Sequence, residues 1–219
     1  LCLNEIKSEK NIFVGMTDYC TDVLIVGGGP VGGSLSCALS TAGISSVVVD
    51  RLSLKEQVNP DFDGRATAIA QGPKKMLERI GVWPGLRSFV CSILDIRVAD
   101  GQSRMFLHYD HEEAGEEALG YMVENRHLRH AVLTAATAAP EVKYLFSSEV
   151  TSIDRSETGV TATLGTGNHI TSFLVIGADG RSSFVRDHAK LSLTKWSYDQ
   201  SAIVSTVLHE KPHHNIAHE

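Results

Sequence analysis

The stretch Asp22-Val-Leu-Ile-Val-Gly-Gly-Gly-Pro-Val-Gly32 decides the fold that this chain is expected to adopt. Its apolar, β-branched first half ends in glycine, which is typical of a buried parallel strand. Gly27, Gly29 and Gly32 then follow the spacing G-x-G-x-x-G. The first glycine permits a tight turn, the second lets a diphosphate approach the backbone, and the third lets helix and strand pack closely. The stretch therefore predicts a strand, a phosphate-binding turn and the start of a helix.

The residues that follow complete a β-α-β unit. Residues 30–42 are predicted to form a helix, with a proline in the first turn, where a missing N–H is tolerated, and with Gly43 ending it. Residues 46–50 form a second apolar strand that ends at Asp50, 23 positions after Gly27. A carboxylate at that point accepts hydrogen bonds from the hydroxyls of a ribose. The sequence thus predicts a dinucleotide-binding, Rossmann-like α/β fold with a right-handed crossover.

The remainder of the chain mixes hairpins and helices. The irregular sequence of residues 52–64 and the hairpins after it favour FAD over NAD, since an NAD dehydrogenase typically continues with regular βα units. Further helices are predicted at residues 72–80, 125–138 and 181–188. Further strands are predicted at residues 93–98, 103–108, 143–146, 149–154, 160–164, 169–176 and 201–209. The acidic stretch 111–117 and the last residues, 209–219, are predicted to be loops.

Composition and charge limit the class of protein. The chain has 219 residues, 42% of them hydrophobic and 21% charged, which allows a sizeable core. Its net charge of −6 lacks the basic field that a nucleic-acid-binding protein needs, so no nucleic-acid partner is expected. No apolar run is long enough to span a membrane and no signal peptide is visible, which predicts a cytoplasmic protein. The scattered cysteines and the histidine-rich end have no metal-ligand spacing, so no metal is expected.

The first residues carry no strand or helix signal. Met16 lies six residues before Asp22 and is expected to be the natural start of the protein. Residues 1–19 are accordingly expected to form a disordered N-terminal extension.

Four segments of the chain form a recognisable set. They are the glycine loop with Asp50-Arg51, then Asp63-Gly-Arg-Ala-Thr-Ala-Ile-Ala70, Gly120-Tyr-Met-Val-Glu-Asn-Arg-His-Leu-Arg129 and Val175-Ile-Gly-Ala-Asp-Gly-Arg-Ser-Ser-Phe-Val-Arg186. In their order along the chain and in their amino-acid sequences, they resemble the FAD-dependent aromatic hydroxylases of the para-hydroxybenzoate hydroxylase class, especially those of ubiquinone biosynthesis. The resemblance implies a discontinuous FAD-binding domain of the glutathione-reductase-like type, residues 20–90 and 120–190. It also implies an inserted, incomplete β-rich substrate domain, residues 91–119 and 190–219.

The resemblance further implies which residues contact FAD. They are Gly27, Gly29, Pro30, Val31, Gly32, Asp50, Arg51, Arg65, Arg126, Val150, Asp179 and Gly180. Arg65 is implied to contact the flavin and Arg126 to reach the FAD from the start of a helix. Asp179 and Gly180 are implied to lie beside the diphosphate, and Val150 to offer backbone groups to the adenine. Without the resemblance, Arg65 is a surface arginine, Arg126 caps a helix, and Asp179-Gly180 is an ordinary turn. No catalytic acid or base is assigned.

The implied activity is hydroxylation of an aromatic ring of a polyprenyl phenol, with NAD(P)H reducing the FAD and O₂ supplying the oxygen. The expected partners are the aromatic substrate and, because of its apolar tail, the inner face of a membrane or other proteins of ubiquinone biosynthesis. Family members carry a second flavin motif, Gly-Asp before an Ala-His helix, and we expect that this chain stops before it. Two alternatives stay open: another FAD oxidoreductase of the same fold, of the prenyl reductase or halogenase type, and an inactive truncated FAD-binding module.

Overall fold

The computed structural model describes residues 18–219, except for residues 60, 62 and 102–104. Residues 1–17 of the predicted disordered extension, Met16 among them, lie outside the described residues. The predicted end of that extension is wrong, because Tyr19 already belongs to the first strand.

Strands and helices alternate as far as residue 79, and runs of consecutive strands follow. The strands, in chain order, are β1 (Tyr19–Val26), β2 (Ser46–Val49), β3 (Ala66–Ala70), β4 (Val90–Ile93), β5 (Asp95–Ala99), β6 (Phe106–Asp110), β7 (Gly120–Glu124), β8 (Val142–Leu145), β9 (Val150–Ser156), β10 (Gly159–Leu164), β11 (His169–Gly177) and β12 (Ile216–His218). The α-helices are α1 (Pro30–Thr41), α2 (Leu54–Gln57), α3 (Gln71–Arg79), α4 (Asn125–Ala138) and α5 (Phe184–His188). Within the described residues, no helix combines the length and apolar character needed to cross a membrane.

These elements divide into two compact units. The first unit contains residues 18–59 and Val132–Trp196, and the second contains residues 61–131 and Ser197–Glu219. The division into FAD-binding and substrate domains that the sequence suggests concerns function, and it stays a prediction.

The first unit is built on a six-stranded sheet with the order β8-β2-β1-β11-β10-β9. The four strands from β8 to β11 run parallel, and β10 pairs antiparallel with both of its neighbours. Val26 of β1 is level with Val49 of β2 and with Gly177 of β11, so the carboxyl ends of these strands lie at one edge. This sheet confirms the predicted Rossmann-like α/β fold, in which ligands bind outside the carboxyl ends of the strands.

The apolar run of β1 is explained by burial on both faces of this sheet. Ile25 belongs to a core on one face, against which Leu35 and Leu39 of α1 pack. Leu24 belongs to the core on the other face, together with Ile153 of β9. Side chains alternate along a strand, so a continuous apolar run requires that both faces be covered. The residues before the glycine loop are therefore fixed by packing on two sides.

The second unit carries two three-stranded sheets, with the orders β3-β7-β4 and β12-β5-β6. Every pair is antiparallel except β12 with β5. β5 and β6 pair antiparallel and form a hairpin, and the Asp100-Gly101 sequence, which is typical of a hairpin turn, directly follows β5. Trp83 is buried in the core of this unit and meets the ring of Tyr121 edge-on, with 5.0 Å between the ring centroids. This unit is rich in strands.

Three local predictions are wrong. Residues 201–209, predicted to be a strand, have no regular structure, and Ile203 is 93% exposed. A β-branched sequence becomes a strand only beside a partner, and in the described part of the chain no strand pairs with this segment. The predicted C-terminal loop contains β12, and the predicted irregular stretch contains α2. A capping box of Ser53 and Glu56 starts α2, a signal that the sequence does contain.

Candidate functional site

The glycine loop between β1 and α1 is shaped by close backbone contacts. Gly27 has a φ of +102°, and a Cβ atom there would lie 2.3 Å from the carbonyl oxygen of Ala178. A Cβ atom on Gly32 would lie 1.9 Å from the carbonyl oxygen of Gly27. Both distances are far shorter than a van der Waals contact, so no side chain fits at either position. The fold itself therefore requires the first and third glycines of the motif.

The middle glycine of the motif differs, since a Cβ atom on Gly29 would meet nothing within 4 Å. Gly29 is the N-cap of α1 and makes no side-chain capping bond, and the first turn of α1 has no acidic residue. The Gly33 N–H donates to the Gly29 carbonyl at 2.8 Å. The N–H groups before Gly33 have no partner within the helix, and the helix dipole adds positive potential at this end. The open space in front of Gly29 therefore suits a diphosphate.

Asp50 follows the last residue of β2 and borders the loop. Its Oδ2 atom accepts a hydrogen bond from the Gly28 N–H at 2.6 Å, and its Oδ1 atom accepts one from the Leu52 N–H at 2.8 Å. Two backbone groups therefore fix the carboxylate in one orientation. An ionised carboxylate has about four acceptor sites, so Asp50 can still accept hydrogen bonds from ribose hydroxyls.

Asp179 and Gly180 form the turn between β11 and α5. The Asp179 carboxylate accepts a hydrogen bond from the Ser183 hydroxyl at 2.5 Å and another from the Val185 N–H at 3.2 Å. Ser183 in turn caps α5 by accepting the Arg186 N–H at 3.0 Å. Gly180 has a φ of +81°, which allows the chain to turn here. Asp179 thus fixes the shape of the turn, a role that the Asp-Gly sequence alone does not reveal.

A pocket of about 780 Å³ opens at this edge of the sheet. Its volume lies within the range of small-molecule and cofactor sites. The predicted site residues that line it are Gly27, Gly29, Pro30, Val31, Asp50, Arg51, Val150, Asp179 and Gly180. Gly32 is not a lining residue, and its place is the close contact between α1 and Gly27. The structure therefore gathers the glycine loop, the end of β2, the start of β9 and the Asp-Gly turn around one pocket.

Sequence reasoning missed several residues that line the same pocket. Ser148 and Glu149 come directly before β9, and Ser182 and Phe184 lie at the start of α5. Ser182 belongs to the Arg-Ser-Ser run after the Asp-Gly turn, a signal that could have identified it. Ser148 and Glu149 have no such signal, because their position depends on the order of strands in the sheet rather than on a local motif.

The remaining predicted residues, Arg65 and Arg126, belong to the second unit and are not among the lining residues. The Arg65 side chain is 64% exposed and pairs with Asp63 at 2.7 Å. Hydrogen bonds from Arg65, and to a lesser degree from Arg129, hold the pKa of the Asp63 carboxyl well below its usual range. Arg126 pairs with Glu124 at 2.6 Å. A guanidinium has five N–H donors, so the bonds of Arg65 to one carboxylate leave donors for a further acceptor.

One group of potential metal ligands lies in the second unit. Within the described residues, the ligand atoms of Asp95, His108 and Asp110 all lie within 4.8 Å of one another. His108 meets Asp95 at 2.9 Å and Arg97 meets it at 3.0 Å. These contacts, the one with His108 first, lower the pKa of Asp95. Because Asp95 already pairs with both Arg97 and His108, a network of surface ion pairs explains these contacts without a metal ion.

Comparison with known proteins covers nearly the whole chain. The family model described as FAD binding domain matches residues 20–218. Ubiquinone hydroxylase UbiL of Rhodospirillum rubrum is 45% identical over 219 residues, which cover 100% of this chain and 51% of that protein. The 3-demethoxyubiquinol 3-hydroxylase of Escherichia coli is 31% identical over 193 residues, 88% of this chain and 49% of that protein. The crystal structure of p-nitrophenol 4-monooxygenase PnpA from Pseudomonas putida matches with a TM-score of 0.70 at 22% identity, covering 83% of this chain and 46% of that one.

These comparisons differ in what they establish. The likeness to PnpA, at its low sequence identity, concerns the fold alone. The chain spans about half the length of the curated relatives it matches. The family match contains the glycine loop, Asp50 and the Asp179-Gly180 turn, which together surround the pocket. The chain belongs to the FAD binding domain family.

Proposed function

We propose that the pocket of the first unit holds FAD, with the diphosphate at the N-terminal end of α1. The observation that carries this proposal is the empty space in front of Gly29, at an uncapped helix end and between glycines that the fold requires. Asp50 would accept the ribose hydroxyls, and the Val150 backbone would meet the adenine. The other proposed contacts are Gly27, Pro30, Val31, Gly32, Arg51, Asp179 and Gly180.

We further propose that two arginines of the second unit complete the contacts with FAD. Arg65 would contact the flavin, and Arg126 would reach the cofactor from the first turn of α4. Support comes from the sequence segments around them and from the position of Arg126 as the second residue of its helix. A planar guanidinium suits both a diphosphate and the electron-rich edge of a flavin.

We infer that the protein is an NAD(P)H-dependent aromatic monooxygenase acting on a polyprenyl phenol of ubiquinone biosynthesis. The names of two relatives, a ubiquinone hydroxylase and a 3-demethoxyubiquinol 3-hydroxylase, support this inference. Bound FAD would supply the redox chemistry, which takes electrons from NAD(P)H and delivers one oxygen atom of O₂ to the ring. The residues of this chain would bind the dinucleotide through its diphosphate and ribose, and these contacts would fix the position of the flavin ring.

The proposed substrate class also predicts a membrane contact. A polyprenyl tail partitions into lipid, so we infer a peripheral contact with the inner face of a membrane or with other proteins of the ubiquinone pathway. The exposed side chains of Leu107 and Tyr109, which share one face of β6, support such a surface. Co-sedimentation with lipid vesicles tests it, and a protein that stays in the supernatant at every lipid concentration would contradict the membrane contact.

The proposed activity is tested by flavin binding followed by product analysis. The purified chain is titrated with FAD while quenching of flavin fluorescence is measured. It is then incubated in air with NADH or NADPH, chloride and a polyprenyl phenol. We expect saturable binding and a product heavier by one oxygen atom. A product that gains hydrogen or halogen instead indicates the reductase or halogenase alternative. Binding without turnover supports a FAD-binding module only, and no binding contradicts the proposal.

A further inference from the structure

Tyr144 of β8 lies against the glycine loop, although no motif of the sequence marks it. Its hydroxyl donates a hydrogen bond to the carbonyl oxygen of Gly28 at 3.2 Å. Its ring stacks on Phe146 with 5.2 Å between centroids and an angle of 22° between the planes. Because β8 pairs with β2, which pairs with β1, the order of the sheet rather than sequence proximity brings this tyrosine to the loop.

The peptide groups of Gly28 are held from two sides. Its N–H donates to Asp50 at 2.6 Å and its carbonyl accepts from Tyr144. A Cβ atom on Gly28 would lie 2.7 Å from the Cε1 atom of Tyr144, and one on Gly33 would lie 2.9 Å from its hydroxyl. A Cβ atom on Gly33 would also lie 2.5 Å from the Cγ1 atom of Val132. Tyr144 therefore explains Gly28. Together with Val132 it also explains Gly33, and the G-x-G-x-x-G spacing requires neither of these two glycines.

The orientation of the Gly28 carbonyl determines the direction of the next N–H. The carbonyl of Gly28 and the N–H of Gly29 belong to one planar peptide unit, and the described chain has no cis peptide bond. In a trans peptide the two groups point in opposite directions. With the carbonyl turned toward Tyr144, the Gly29 N–H points away from it. Gly29 is a lining residue of the pocket, whereas Gly28 is not.

We infer that Tyr144 is a positioning residue for diphosphate binding, which acts by holding the Gly28–Gly29 peptide so that the Gly29 N–H is available to the ligand. This inference rests on the proposed binding of FAD in the pocket. Tyr144 contacts the loop and is not a lining residue of the pocket, so its effect passes through the orientation of one peptide.

The hydroxyl of Tyr144 stays protonated at neutral pH. Burial raises the pKa of Tyr144, and the neighbouring Cys37 and Asp50 act in the same direction. The side chain therefore remains a hydrogen-bond donor, as the contact with the Gly28 carbonyl requires.

The test compares Tyr144→Phe with the matched control Tyr19→Phe. Tyr19 lies in β1 of the same sheet, where the ammonium group of Lys143 stands 4.4 Å from its ring centroid. Tyr19→Phe, like Tyr144→Phe, removes one hydroxyl and keeps the ring. Dissociation constants are measured for FAD, for ADP, which carries the diphosphate, and for adenosine, which lacks it. A neutral hydrogen bond contributes about 0.5–1.5 kcal/mol, so Tyr144→Phe should weaken binding of FAD and of ADP about 2–10-fold.

Adenosine separates positioning of the diphosphate from general damage to the fold. We expect Tyr144→Phe to bind adenosine as the parent does, and Tyr19→Phe to bind all three ligands as the parent does. If Tyr144→Phe binds FAD and ADP as tightly as the parent, or loses adenosine affinity by the same factor, the inference is wrong. A parent chain that binds neither FAD nor ADP overturns the proposed function instead, and the two failures are thus distinguished.

Discussion

The glycine loop of the first unit and the arginine pairs of the second unit provide positive charge in different ways. In the loop the charge comes from backbone N–H groups, whose positions are fixed because the carbonyl of Gly27 lies against Gly32. In the second unit it comes from exposed side chains such as Arg65, which pairs with the carboxylate of Asp63. Atoms in a packed loop cannot move without loss of packing, whereas surface ion pairs exchange partners at little cost. The loop is therefore preorganised for a ligand, and the arginines can adapt to one.

The largest effect is expected for Gly32→Ala, which puts a methyl group 1.9 Å from the Gly27 carbonyl oxygen. Overpacking costs about 1–3 kcal/mol, and a clash with backbone atoms lies at the top of that range or above it. We expect loss of cooperative unfolding in a urea titration followed by circular dichroism. Gly72→Ala in α3 is the control, since a Cβ atom there meets nothing within 4 Å, and it should stabilise the protein by about 0.4–1 kcal/mol. A Gly32→Ala variant as stable as the parent would contradict the packing argument.

The next largest effect is expected for Gly29→Asp, on binding rather than on stability. Gly29 has extended backbone angles and free space around its Cβ position, and aspartate is a favourable N-cap residue. The variant should unfold at the same urea concentration as the parent or at a higher one. It should nevertheless lose FAD, because a carboxylate would occupy the place of the diphosphate. Retention of flavin after gel filtration, at the level of the parent, would show that the loop is not the binding site.

An intermediate effect is expected for Asp50→Asn. An asparagine has only one side-chain oxygen, so it cannot accept from both the Gly28 and the Leu52 N–H groups as Asp50 does. Hydrogen bonds to charged groups are worth about 1.5–3 kcal/mol, which predicts a rise of about 10–100-fold in the dissociation constant for FAD. Asp22→Asn is the control: Asp22 also accepts two hydrogen bonds, both on its Oδ2 atom from Ser45, and it is not a lining residue of the pocket. Equal FAD affinities for the two variants would show that Asp50 does not contribute to FAD binding.

The smallest effect is expected for Arg65→Gln. Its side chain is mostly exposed, so the unfolding midpoint in urea should not change measurably. The dissociation constant for FAD should rise, but by less than for Asp50→Asn, because a mobile side chain loses part of its binding energy in becoming ordered. Arg87→Gln, another exposed arginine of the same unit, should leave FAD affinity unchanged. Identical affinities for the two arginine variants would remove Arg65 from the proposed site.

The elements that the sequence predicted well are those whose signals are local. The helix at residues 125–138 matches α4 at both ends, because its apolar spacing is regular. The glycine loop and Asp50 also followed from short-range rules about turns, helix ends and strand ends. The glycine loop and Asp50 line the same pocket, as expected for the two strand ends of one βαβ unit.

The elements that the sequence did not predict depend on partners far along the chain. β12 forms only because β5, more than a hundred residues earlier, pairs with it, and the segment 201–209 stays irregular without such a partner. Tyr144 and Ser148 reach the site through the order of strands in the sheet, for which no local pattern exists. The partners of Arg65 and Arg126 could not be read from the sequence either, because a charged side chain on the surface has several carboxylates within reach.

Hydrogen exchange of the chain with and without FAD tests most directly whether the amide end of α1 receives the diphosphate. Mass spectrometry of peptides covering residues 27–36 should show slower exchange of the loop amides when FAD is added to the parent chain, and no change for Gly29→Asp. Slower exchange confined to other segments, with residues 27–36 unaffected in the parent, would show that the diphosphate does not bind at the N-terminal end of α1.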